Sequence, residues 1–293
     1  MKVLLTGATG CIGRSLLRYK PADCDIELLL SPTSLQLPGF AWYRTDVSVF
    51  EKTRMAITCS CPDVVVHLAA LSSPDRCELE PDRARQVNTD GAEHVARACR
   101  ECGARMVLFS TDHVFDGAAG PYSETDRPKP VNVYGQTKLD AEHVAAAVIS
   151  GLLVIRIAFV IGKRGVDSPH NFLSSLIEQL RAGTPVKVWK DQHNTPAYLE
   201  ELSQVLWMLI RKKVTGIVHY GTSDRLTRYD MARKVCEIME LSESLVEPVK
   251  VSDLELPAKR PLESGFITQK VHDILGMPPT TFTNALLHMT ERP

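Results

Sequence analysis

The chain opens Met1-Lys-Val-Leu-Leu-Thr-Gly-Ala-Thr-Gly-Cys-Ile-Gly13, and few openings leave a polypeptide so little choice of fold. Val3 to Leu5 are apolar and partly β-branched, the pattern of a short buried strand. Gly7, Gly10 and Gly13 then punctuate a turn that runs into the helical spacing of Ile12, Leu16 and Leu17. Strand, glycine-rich turn and helix start together make a phosphate cradle. Glycines let the backbone come close to a pyrophosphate, and the free N–H groups and dipole of the helix start attract its charge. Thr9, Cys11 and Ile12 lie within the cradle and are expected to share its ligand. A glycine-rich turn can equally be a plain loop, so the rest of the chain has to decide.

The rest alternates. Ile26–Leu30, Phe40–Tyr43, Asp63–Leu68, Arg105–Ser110 and Leu152–Ile161 read as further strands. Asn88–Cys102, ending at the capping Gly103, and Tyr134–Ile149 read as helices. The strands are nearly continuous apolar runs, as parallel strands covered on both faces require. This predicts an α/β fold, a doubly wound parallel sheet of the Rossmann kind, over residues 1–162. From Lys163 the rhythm changes. A loop with Pro169, a helix near Asn171–Ala182, a strand Val186–Trp189 and the loop Asp191–Pro196 follow. The helix Leu199–Lys212 and strand Ile217–Tyr220 return to the sheet, so 198–221 is assigned to the first domain. Residues 163–197 and 222–293, with the helix Tyr229–Met239 and a proline-spaced tail, form a smaller C-terminal lobe. Two lobes meeting over strand ends leave a cleft, where open α/β sheets bind ligands.

Charge and cysteine usage exclude other classes. The formal net charge of −1, with no basic cluster, argues against nucleic acid as a partner. No charged and apolar leader precedes the first strand, and the most apolar run, Leu152–Gly162, carries Arg156 and is too short to span a bilayer. A cytoplasmic protein is expected, with no membrane partner. Cys99 and Cys102 share one helical face with Val95, which suits core packing, and no second pair completes four metal ligands. No metal site is expected.

In a dinucleotide fold an acid at the end of the second strand binds the ribose 2′-hydroxyl of NAD. Here that end is Ser31-Pro-Thr-Ser34, which has no acid and no arginine. Polar Ser31, Thr33 and Ser34 favour NADP over NAD. Asp46, followed by Val47, either caps the next helix or meets the adenine.

Tyr134-Gly-Gln-Thr-Lys138 puts a phenol and an ammonium four positions apart on one helical face. The ammonium is expected to draw the tyrosine's pKa down from about 10 and make it a usable proton donor. Thr111, at the end of the fifth strand, can donate a hydrogen bond to a substrate oxygen.

These motifs together, Thr-Gly-Ala-Thr-Gly-Cys-Ile-Gly, His67-Leu-Ala-Ala70, Ser110-Thr-Asp-His-Val-Phe-Asp-Gly117 and Tyr-Gly-Gln-Thr-Lys, resemble the extended short-chain dehydrogenases/reductases. Within them the chain is most similar to the dTDP-4-dehydrorhamnose reductases, through Asp191-Gln and Arg260-Pro261 as well. The resemblance implies NADP-dependent reduction of a nucleotide-linked 4-keto-6-deoxy sugar. Thr111, Tyr134 and Lys138 would be the catalytic set. Leu68, Ala69, Ala70 and Asn88 would join the cofactor site, and Asp112, His113 and Arg260 the substrate site. A homodimer is the expected assembly. The family usually has tyrosine where His113 stands and threonine where Ala197 stands. His113 is therefore a substrate contact, an auxiliary acid or a filler; Arg260 either holds a diphosphate or is solvated. The chain also resembles the regulatory β subunit of methionine adenosyltransferase, an NADP-binding partner protein. An epimerase or dehydratase on the same scaffold is a third alternative, although the dehydratases' Asp-Glu pair is replaced here by Asp112-His113.

Overall fold

Seven strands form one sheet in the computed structural model, which describes residues 1–163, 169 and 171–290. They are β1 (Lys2–Thr6), β2 (Asp25–Leu30), β3 (Ala41–Arg44), β4 (Val64–His67), β5 (Arg105–Thr111), β6 (Leu152–Ile157) and the strand Gly216–Tyr220. Across the sheet they run Gly216–Tyr220, β6, β5, β4, β1, β2, β3, and every pair is parallel. The chain builds outward from β1 to β3, then crosses back to lay β4 on the other side of β1. The carboxyl ends of β1 and β4 therefore flank the point where strand order reverses, the usual ligand crevice of a doubly wound sheet.

Successive strand residues serve opposite faces. Val3 and Leu5 join Leu16, Leu202, Val205 and Leu206 in one core, while Leu4 joins Ala56, Ile57, Val95, Cys99 and Ala141 in the other. Burial on both faces is what selected the unbroken apolar runs in the sequence. Val271 and Leu275, from the tail helix Gln269–Leu275, also pack into the first core.

A separate cluster has Leu173, Leu176 and Leu180 of one helix, Met231 and Val235 of another, and Phe282, Ala285 and Leu286 near the end of the chain. Around it lie three short pairings: Val160–Ile161 with Ala197–Tyr198, His193–Asn194 with Leu226–Thr227, and Val186–Trp189 with Val246–Val249. The predicted strand Leu152–Ile161 is thus two. Its sheet portion stops at Ile157, and Val160–Ile161 turns to pair within the lobe. The predicted helix Asn88–Cys102 begins as a wider π-turn over Arg85–Asp90 and is α-helical only from Gly91. The loop expected around Pro169 falls mostly outside the described residues. No helix among the described residues is long and apolar enough to cross a membrane.

Candidate active site

The predicted cradle forms as a tight packing arrangement. Gly7 has φ +68°, and a Cβ there would stand 2.8 Å from the Ala69 nitrogen; one on Gly13 would stand 2.6 Å from Ala8 Cα and Gly7 O. Neither position tolerates a side chain. Gly10 differs, since a Cβ there meets only Gly7 O, at 3.4 Å, and the space before it is open. Gly10 caps the helix Cys11–Arg18 (α1), which has no side-chain cap and no acid in its first turn. Its leading N–H groups are left for an anion. These residues fit a dinucleotide pyrophosphate.

Thr6 closes the cradle from below. Its hydroxyl accepts the Leu68 and Ala69 N–H groups, both at 3.0 Å, so its own proton goes to His67 Nδ1 at 2.9 Å. His67 is held neutral, its pKa drawn down to about 3 by burial and then by the Lys138 charge. The ends of β1 and β4 are locked together at the switch point.

A cleft of about 790 Å³ runs from this cradle to the lobe. Gly7, Thr9, Gly10, Cys11, Ile12 and Gly13 line it, as do Ser31, Asp46, Val47 and Leu68 to Ala70. Thr111, Asp112, His113, Tyr134, Lys138 and Arg260 line it too. Asn88 does not. It is buried, its Oδ1 accepting Leu71 N at 2.8 Å and its Nδ2 donating to Thr137 Oγ1 at 3.0 Å. It braces the loop after β4 against the helix Val133–Val148, which carries Tyr134 and Lys138, and both ends of its amide are engaged there.

Elsewhere along the cleft the second strand closes on Ser31 and Ser34, whose hydroxyls lie 2.7 Å apart. Arg44, from the end of β3, donates Nη1 to the carbonyls of Ser31, Pro32 and Ser34. The sequence suggested no arginine here; strand pairing supplies one. Asp46 neither caps a helix nor stands free. It accepts Ser48 N–H at 3.0 Å and pairs with Arg83 at 2.6 Å. Burial works to raise its pKa, but the Arg83 and Ser48 hydrogen bonds outweigh that and leave it lowered.

Tyr134 and Lys138 start the helix Val133–Val148, whose N-cap Asn132 accepts Gly135 N–H at 2.8 Å. That asparagine was a legible signal, two positions before the tyrosine. Thr111 ends β5, accepts His113 N–H at 3.2 Å and donates to Asp112 Oδ1 at 3.2 Å. Tyr134 does not have the lowered pKa expected of it. Burial raises it, the Thr111 hydrogen bond opposes, and Lys138 is not among the causes. Lys138 is itself drawn down to about 8 by burial, against the pull of Glu142 and Cys77. Glu142 is committed elsewhere, to Arg156 at 2.6 Å and to the Ser110 hydroxyl.

On the lobe side, Asp112 is buried and its Oδ2 accepts Asn194 Nδ2 at 2.8 Å and Ser264 Oγ at 2.9 Å. His113 accepts Asn132 Nδ2 on Nδ1 at 2.9 Å and sets its ring edge on Tyr134 at 5.5 Å. Arg260 is no surface residue: its side chain is 7% exposed, pairs with Asp75 at 2.5 Å and donates to Ala258 O at 2.8 Å. That leaves it less free for a diphosphate than the sequence suggests. Sequence patterns gave no hint of Arg228, which lines the cleft among Phe159, Phe172 and Trp189.

A family model described as RmlD substrate binding domain matches residues 1–292. A probable low-salt glycan biosynthesis reductase of Haloferax volcanii is 29% identical over 98% of this chain and 96% of its own length. The methionine adenosyltransferase 2 subunit beta of Rattus norvegicus is 29% identical over 89% of this chain and 78% of its own. The crystal structure of a dTDP-4-dehydrorhamnose reductase from Yersinia enterocolitica superposes with a TM-score of 0.86, at 29% identity, over 98% of each chain.

Proposed function

The chain belongs to the family described as RmlD substrate binding domain, and we propose that it is an NADP-dependent reductase of a nucleotide-linked 4-keto-6-deoxy sugar. The observation that carries this is the convergence of Thr111, Tyr134 and Lys138 on the cleft that the glycine cradle opens into. The Yersinia structure, named as a dTDP-4-dehydrorhamnose reductase, supports the sugar class.

A nicotinamide held in this cleft would supply hydride for the carbonyl carbon. Tyr134 donates its phenol proton to the carbonyl oxygen, and its raised pKa keeps that proton in place at neutral pH. Thr111 would orient the same oxygen by turning its hydroxyl proton to it from Asp112 Oδ1. Lys138 keeps a positive charge at the cleft floor and holds the cofactor's ribose. Asn132 fixes the helix start, so that the phenol and the Thr111 hydroxyl keep their spacing. The acid-free end of β2, with Ser31, Ser34 and Arg44 beside it, favours NADP over NAD.

NADPH oxidation with a panel of nucleotide-linked 4-keto sugars tests the proposal. Turnover that Tyr134→Phe lowers by roughly 10² to 10⁴, with NADPH affinity kept, is the expected result. A second reading rests on the rat relative: the chain would bind NADP and dock on a methionine adenosyltransferase. NADPH binding with no turnover across the panel, and a stable complex with the synthetase, would select it.

A further inference from the structure

Among the described residues, one guanidinium that lines the cleft has no carboxylate paired with it. Arg228 is the first residue of the helix Arg228–Met239, capped by Thr227 and Asp230 through each other. Its charge is therefore not spent on the cap. The guanidinium carbon lies 4.4 Å from the Phe172 ring centre, 4.7 Å from Phe159 and 4.8 Å from Trp189. Its Nε is buried without a hydrogen-bond partner, and among the described residues no carboxylate pairs with Arg228. The neighbouring Arg260 has Asp75.

Three rings compensate a buried cation only in part. Cation–π contacts are directional and leave the edge N–H donors unsatisfied. A planar fork with free donors, fixed by aromatic walls and lining an open cleft, matches a phosphate and arrives without the cost of ordering a flexible side chain. The site is also built against cations, since Arg260 lies against the same Trp189 ring, its guanidinium carbon 6.0 Å from the ring centre. Burial and the Arg260 charge lower the Arg228 pKa to about 10 against the weaker pull of Asp112, which leaves it charged at neutral pH.

We infer that Arg228 is the residue that takes the diphosphate of the nucleotide-linked substrate, with Arg260 held by Asp75 as a strut beside it. This rests on the assignment of the cleft to a nucleotide-sugar. It moves the phosphate contact from the Arg-Pro segment of the tail to the aromatic cage of the lobe.

Calorimetry with dTDP and with thymidine, in the presence of NADP, tests it on the full chain. Arg228→Met keeps the side chain's length and should weaken dTDP roughly ten- to a hundred-fold, the range expected for charge-assisted hydrogen bonds. Thymidine, which has no phosphate, and NADPH should bind the variant as they bind wild type. Arg228→Lys keeps charge and cage but loses the fork, and should fall between; it also guards against a Met variant that does not fold. Equal losses for thymidine and dTDP, or no loss for either, would overturn the inference, as would wild type that does not bind dTDP. Catalysis separates the two proposals. Turnover of a 4-keto sugar with an unchanged KM in Arg228→Met sinks this one alone, while Arg228-dependent dTDP binding without any turnover sinks only the reductase.

Discussion

Lys138 has to carry a charge in a place that resists it. Burial draws it down to about 8, while Tyr134, under the same burial, is raised. A lysine is charged below its pKa, so the competent pair, ammonium and protonated phenol, exists at neutral pH and is lost as pH rises through about 8. The pH profile of kcat/KM, which reports the free enzyme, should show an alkaline limb there. Lys138→Arg, charged throughout, should remove that limb even if its rate is low; a limb unchanged in this variant would assign it to another group. The Tyr-x-x-x-Lys pair was readable from sequence because four residues is one helical turn. What the sequence got wrong was the sign of the tyrosine's shift, since neighbours along a helix can be counted but burial cannot. Arg228 was unreadable for the same reason: Phe159, Phe172 and Trp189 come to it from three different segments.

The helix Val133–Val148 touches the turn just after β5 through a residue with no side chain. A Cβ on Gly135 would lie 2.0 Å from the His113 carbonyl oxygen. That close approach sets the spacing between Tyr134 and Thr111. Gly135→Ala must push the two elements apart, and overpacking of this kind costs about 1 to 3 kcal/mol. We expect a kcat several-fold to a hundred-fold lower with a smaller change in NADPH affinity, measured by steady-state kinetics and fluorescence titration; a native kcat would mean that the contact relaxes elsewhere. At this scale the sheet was legible, because buried parallel strands leave unbroken apolar runs. The lobe's pairings were not. Two-residue strands such as His193–Asn194 have no period to detect, and Val246–Val249 contains Pro248, which breaks a strand pattern.

Sheet and lobe are joined beneath the cleft by Asp112, which stands next to Thr111 and accepts from Asn194 and Ser264 of the lobe side. Asp112→Ala would orphan both buried donors, at about 1 to 3 kcal/mol for each. Urea denaturation should show the loss, and an unchanged midpoint would mean that water replaces the carboxylate. The lobe's own core is spread along the chain, from Ile161 to Leu286. During synthesis, β1 to β6 can emerge and pair while that core still lacks its last helix, Phe282–Thr290. A nascent chain would thus hold its glycine cradle well before it holds the aromatic cage around Arg228. On the function proposed above, the order of synthesis lets the dinucleotide half of the cleft take shape before the half that would choose the sugar.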